Sequence, residues 1–253
     1  ICSYIGSMPE NEVKKAISET IWKDRGSVKT APPKKDFIPV DVTKPKVYLV
    51  NFDSAQANIS FRTRSTLYRN DELADIQLFN QYFGAGGLDC IVFMEIRESR
   101  SLAYSAFAYY KPASEIGKYN TFVGAVGTQS DKLFEAADAM LALFKNMPVK
   151  DDLYENARGN LIKEMSSERI NGDLVYVYLD AVEKLKIDYD IRKSIFDDLA
   201  KLTIKDGVKF FNSKIANSRY NIVIVGNIAK LDRSRLAAYG EIIELKYEDI
   251  FGY

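Results

Sequence analysis

The chain has 253 residues, enough for one large domain or for one domain and a fragment of another. Hydrophobic residues make up 47% and charged residues 28%, ordinary for a globular protein. Its 35 Lys plus Arg balance 35 Asp plus Glu, so no net field draws in nucleic acid or an anionic membrane. There is no histidine, which removes the commonest general base and the commonest metal ligand, and no apolar run approaches the roughly 20 residues that a membrane-spanning helix needs. Two cysteines, Cys2 and Cys90, are too few for a disulfide framework or a cysteine-rich zinc site; they could pair with each other or stay as buried free thiols. The first residues, Ile-Cys-Ser-Tyr-Ile-Gly, carry neither an initiator methionine nor a signal peptide. That suggests a piece of a longer polypeptide whose compartment this sequence leaves unknown.

In chain order, residues 2–6 read as a strand ending at Gly6, and a helix follows Pro9 to residue 21. Four of the seven prolines fall between Pro32 and Pro45. Proline removes backbone donors and biases its predecessor to extended geometry, so residues 26–43 read as an extended linker. Beyond it one continuous α+β domain is expected over residues 44–253. Residues 47–50 form a short buried-type strand, and residues 58–64 alternate as a half-buried one. Asn70 or Asp71 can cap a helix with Leu73, Ile76, Phe79 and Phe83 on one face, stopped by Gly84-Ala-Gly-Gly87. A second helix over 91–100 leads to a strand at 102–110, which pairs as an antiparallel hairpin with a strand at 119–126. The rest is mostly helical. Ser130 caps one helix and Asp151 or Asp152 starts a long one. Further helices are expected near 173–187, 192–201 and 204–217, before a closing strand at 220–225.

The ends of the chain echo each other. Strand, Gly6, loop and helix near the start match strand, Gly226, loop and a helix over 231–239 near the end. A duplication would make residues 1–25 the tail of a preceding homologous domain, although strand-glycine-helix is also a common arrangement.

Without histidine, Ser-His-Asp, Cys-His and His-Glu-x-x-His machinery are excluded from this chain alone. A carboxylate pair is possible in principle, yet the acidic residues scatter over predicted helices as solvated faces do. Gly84-Ala-Gly-Gly87 lacks the Lys-Ser/Thr of a Walker loop and follows a helix, so it reads as a helix terminus. Phe107, Tyr109 and Tyr110 read as core and cover of a sheet, not as a base-stacking platform. Arg97 and Tyr104, seven positions apart, sit where a helix runs into a strand. They read either as a surface ion-pair partner and a strand residue, or as two donors converging on a peptide carbonyl.

Leu78-Phe-Asn-Gln-Tyr-Phe-Gly-Ala-Gly-Gly87 followed by Phe93-Met-Glu-Ile-Arg-Glu-Ser-Arg-Ser-Leu-Ala-Tyr-Ser105 resembles the non-zinc-binding C-terminal half of the pitrilysin/insulinase-like (inverzincin) zinc metallopeptidases. Gly124-Ala-Val-Gly-Thr128, the helix near Asp151 and Val223-Ile-Val-Gly226 extend the likeness over about residues 44–253. The resemblance implies an α+β fold with a mainly antiparallel sheet covered by helices. It implies a partner, the N-terminal half, that carries His-x-x-Glu-His, a distal Glu and zinc. It also implies that Arg97 and Tyr104 bind peptide substrate at the scissile bond. This chain has no His-x-x-Glu-His, so no complete catalytic set, no metal ligand and no cofactor is expected in it, and zinc belongs to the parent enzyme. On its own it is expected to be inactive. The alternative is a non-catalytic structural or interaction subunit with the same fold.

Overall fold

A computed structural model describes residues 4–20, 35–172 and 175–252, with Lys23 and Pro33. Helix α1 (Glu10–Thr20) buries none of its residues. Residues 4–6 of the strand expected at 2–6 are described and are not in a strand, while its first residues, and residues 26–32 and 34 of the expected linker, lie outside the described residues. Residues 35–45 run without regular structure to β1 (Lys46–Asn51) and β2 (Gln56–Leu67). A helical stretch follows, with α2 (Leu73–Asn80), a π-helical turn (Gln81–Ala85), α3 (Ile91–Phe93) and a second π-helical turn (Met94–Glu98). The hairpin of β3 (Ser105–Lys111) and β4 (Tyr119–Gln129) leads into α4 (Leu133–Lys145), α5 (Asp151–Ser167), α6 (Val175–Leu185), α7 (Ile191–Leu199) and α8 (Ile204–Lys214). The described chain finishes with β5 (Asn221–Gly226), α9 (Arg233–Ala237), β6 (Glu241–Leu245) and α10 (Tyr247–Phe251).

The six strands form one sheet in the order β3-β4-β2-β5-β1-β6. Three neighbouring pairs are antiparallel, and β1 runs parallel to both β5 and β6, so the α+β expectation holds with a sheet that is mixed. The parallel part follows from connectivity. The chain leaves β5 and must cross over through α9 before β6 can run in the same direction. The strand at 221–226 therefore does not close the domain. Edge strand β6, absent from the sequence reading, follows it.

Strand alternation sorts the sheet into two faces. Ala57, Ile59 and Phe61 of β2, Ala106, Ala108 and Tyr110 of β3, Phe122 and Val126 of β4, and Ile222 and Ile224 of β5 are buried beneath the helices. Phe144 of α4 packs edge-on against Phe61 at 5.5 Å and Phe122 at 5.0 Å, and lies 5.2 Å from Tyr220. Fully burying one such ring contributes about 1.5–3 kcal/mol, which is why this aromatic group anchors the helical layer. The opposite face carries Ser105, Phe107, Tyr109, Arg62 and Val223, and no described helix covers it.

Helix starts differ from the capping expectations. Neither Asn70 nor Asp71 caps α2; a 3-10 turn, Asn70–Glu72, precedes it. Ser130 likewise opens a 3-10 turn, and its hydroxyl donates to the Ala55 carbonyl at 3.4 Å. Asp151 does begin α5. Cys90 is a buried free thiol, and Cys2 lies outside the described residues.

The helical stretch before β3 lies directly on that strand. A Cβ at Gly84 would come within 2.5 Å of the Ala108 carbonyl oxygen and 2.7 Å of its nitrogen. Both are backbone atoms and neither can swing away. Gly159 in α5 has nothing within 4 Å of the same position. Gly84→Ala is expected to destabilise the fold by about 2 kcal/mol through overpacking. Gly159→Ala is expected to stabilise it by roughly 0.5–1 kcal/mol through helix propensity. Urea midpoints of the two variants check both signs.

Candidate functional site

The stretch from Met94 to Ser105 shows how a helix is turned into a strand. Ser99 N–H donates to the Met94 carbonyl at 2.8 Å, a wide π-type closure. Ser101 then takes a left-handed backbone with φ of 50°, sterically costly for a residue with a side chain. Three contacts hold that reversal. The Thr128 hydroxyl donates to the Leu102 carbonyl at 2.5 Å, Lys132 Nζ donates to the Ser101 carbonyl at 3.1 Å, and Tyr104 N–H donates to the Gly127 carbonyl at 2.9 Å. The last bond extends the β3–β4 ladder by one residue and sets Tyr104 at the end of the sheet.

Arg97 leaves the π-helical turn toward the same place. Its guanidinium carbon lies 4.8 Å from the Phe93 ring centroid and 5.9 Å from that of Tyr104. The structure thus brings the two sequence-predicted residues side by side. Both are exposed, Tyr104 to 75%. The ion-pair reading of Arg97 does not describe it, since among the described residues no carboxylate lies within salt-bridge distance. Glu95, two residues before it, instead pairs with Lys150 at 3.1 Å. The aromatic platform of Phe93 holds the guanidinium plane while leaving its N–H groups unused. The arrangement offers two kinds of donor, a guanidinium and a phenol. A cavity of about 250 Å³ beside them is lined by Gln56, Thr128, Gln129 and Lys132 as well as Tyr104.

Sequence reasoning missed the parts that aim this pair. Asn80 accepts from Tyr110 N–H at 2.6 Å and donates to the Tyr110 carbonyl at 2.9 Å, so a side-chain amide occupies the outer edge of β3 where another strand would pair. Its position one turn before the glycine-rich segment was the only available signal. Gly84-Ala-Gly-Gly87 ends the helix, with Gly87 left-handed at φ of 75°.

Zinc does not fit this chain. It has no histidine, and among the described residues no three Cys, Asp or Glu side chains converge on a possible metal position. The described carboxylate most displaced upward is Asp75, in the packing between α2, α5 and α8 and away from Arg97 and Tyr104. Burial first, then the negative charges of Asp206 and Glu72, push it up to about 6. A displaced carboxyl group is a candidate proton carrier, but this one belongs to the helical layer.

That displacement has a sign that can be checked. Unfolded Asp titrates near 3.9, so between about pH 4 and 6 the folded chain keeps a proton that the unfolded chain has lost. Stability associated with Asp75 is full below pH 4 and falls as pH rises through 6. Asp75→Asn is expected to flatten stability over that window and to raise the urea midpoint at pH 7, measured against wild type at pH 4.5 and 7.

The sequence profile described as "Peptidase M16 inactive domain" matches residues 1–161. An uncharacterized zinc protease, YmxG, of Bacillus subtilis (strain 168) is 23% identical over 119 residues, 46% of this chain and 29% of that protein. The crystal structure of a peptidase M16 inactive domain from Pseudomonas fluorescens superposes with a TM-score of 0.62 at 18% identity. The match covers 86% of this chain and 51% of that one. Pitrilysin superposes with a TM-score of 0.59 at 12% identity, covering 95% of this chain and 26% of pitrilysin. The chain therefore spans about half the length of the first of these structures and less of the others.

Proposed function

The chain belongs to the peptidase M16 inactive-domain family, and on that premise we propose that it completes the peptide-binding chamber of a zinc peptidase whose metal-binding half lies elsewhere. In this reading Arg97 and Tyr104 hold the peptide at the bond to be cut. The observation that carries it is their placement together, exposed, with no carboxylate on Arg97 and no hydrogen-bond partner for the Tyr104 hydroxyl among the described residues.

Donors of this kind do one useful thing in amide cleavage. The Tyr104 O–H and the Arg97 N–H groups donate to the scissile carbonyl oxygen, and those bonds strengthen as negative charge grows on it. Held by Phe93 and by the bonds that fix residues 101–104, both groups are already oriented before the peptide arrives. Zinc enters with the partner half, because the donors present here do not suit it.

The same reading divides the chain into residues 1–25 as the tail of a preceding homologous domain, 26–43 as a connection and 44–253 as the peptidase-like domain. It is supported by α1, none of whose residues is buried. Among the described residues no helix is long and apolar enough to cross a membrane.

In the complex with the zinc-binding half, Tyr104→Phe and Arg97→Ala are each expected to lower kcat/KM by about 10²–10³, as loss of one such donor does elsewhere. Thermal midpoints should stay close to wild type, since both side chains are exposed. Unchanged turnover would overturn the assignment. No peptide cleavage by the wild-type complex would instead favour a structural or interaction subunit.

A further inference from the structure

The uncovered face of the sheet is graded from one end to the other. The registers give its rows. Ser105 faces across Gly127 and Asn58 to Val225. Phe107 faces across Ala125 and Ser60 to Val223, and Tyr109 across Val123 and Arg62 to Asn221. The middle row holds one polar side chain, Ser60, and Phe107 there stacks on Tyr109 at 6.0 Å. Tyr104 leads into this face at one end. At the other end lies a cavity of about 470 Å³ that gathers Arg62 and Lys111 with Tyr109, Tyr48, Val123 and Val223.

The two cations in that cavity are unneutralised. Among the described residues neither has a carboxylate within salt-bridge distance; Arg62 Nε donates only to the Ser60 hydroxyl, at 3.3 Å. The neighbouring Arg64 differs, being paired with Asp41 at 2.9 Å and stacked over Tyr119 at 4.4 Å. Cations left unpaired beside aromatic walls make a favourable place for a carboxylate attached to an apolar group.

The far side of the cavity is walled. Residues 35–42 cross there, contributing Phe37, Pro39, Val40 and Val42 to the lining. Buried Val42, the Asp41–Arg64 pair and an Asp36–Lys118 pair at 2.8 Å fix the segment. An extended chain coming along the face from Tyr104 meets this wall, so it ends there instead of passing on. Tyr104 and Tyr109 are five residues apart along one strand, about 17 Å at 3.4 Å per residue.

We propose that the Arg62/Lys111 cavity binds the C-terminal carboxylate of an extended peptide, with its last, apolar side chain against Tyr109 and Val123. The proposal rests on the reading of Arg97 and Tyr104 as peptide contacts, and adds that substrates end about five residues after the scissile bond. The carboxylate takes the remaining N–H donors of Arg62 and the ammonium of Lys111, and the wall excludes a longer chain.

Fluorescence polarisation with this chain and three labelled peptides of one sequence tests it. One ends in a free acid and one in a carboxamide, and the third has glutamate at that position and continues for several residues. The free acid is expected to bind about tenfold tighter than the other two. Arg62→Gln, Lys111→Gln and their combination should bring the acid down to the amide's level at unchanged thermal midpoint. Equal binding of acid and amide, or a gap that survives both substitutions, overturns the proposal, as does failure of all three to bind. Equal binding of the extended glutamate peptide shows an internal acidic residue as the ligand and also overturns it. Tyr104→Phe separates the two readings. It should lower turnover while leaving the acid-to-amide ratio intact, so a normal ratio without a turnover defect would fault the role of Tyr104 and spare the cavity.

Discussion

Seating a helix on the open edge of a strand governs the rest of this structure. Strand β3 is one edge of the sheet, and its outer backbone groups would otherwise face solvent or another chain. The Asn80 amide satisfies the Tyr110 N–H and carbonyl together, and the missing side chain at Gly84 lets the π-helical turn come down onto Ala108. With that height fixed, the second π-helical turn has one place to go, and Arg97 emerges beside Tyr104. A slip of the helix along β3 would break the amide clamp and the glycine contact at once. The clamp therefore serves stability and aim together.

The pair it aims is chemically one-sided. In the proposed role, a chain without histidine would still assist amide cleavage, because carbonyl polarisation needs donors and not a base. In that role, arginine and tyrosine suit this division of labour, since both side chains carry hydrogen-bond donors. The aromatic contact with Phe93 substitutes for an acidic partner, keeping Arg97 oriented without neutralising it. A carboxylate in that position would have drawn the guanidinium into a structural ion pair.

Much of this was legible in the residues, and what was not has physical causes. The alternation of residues 58–64 and the hairpin across Pro112 and Gly117 found β2, β3 and β4, because one buried face writes a period of two into the sequence. β6 escaped because Glu241-Ile-Ile-Glu-Leu245 is a short edge strand without that alternation; its residues are all partly or fully exposed. Asn70 and Ser130 looked like caps but open 3-10 turns, and their side chains bond to distant carbonyls, Leu185 and Ala55, instead of to helix N–H groups. Arg97 and Tyr104 were named from a motif, but their approach depends on Thr128 and Lys132, far along the chain, whose role no local pattern marks.

The mixed sheet gives its two halves different work. On the antiparallel side, the hairpin of β3 and β4 brings residues from 97 to 128 to one end of the sheet, where the donor pair sits. On the parallel side, β1 lies between β5 and β6, and residues 35–45 reach it by passing Lys118 and Arg64, to which Asp36 and Asp41 are paired. That passage supplies the wall beside Arg62 and Lys111. The connection that precedes β1 is thus bound to the sheet through Asp36, Asp41 and Val42 and does not hang as a free tether. Proline-rich composition favours this use as well, since a chain held extended by its prolines loses little further freedom on being pinned along a surface.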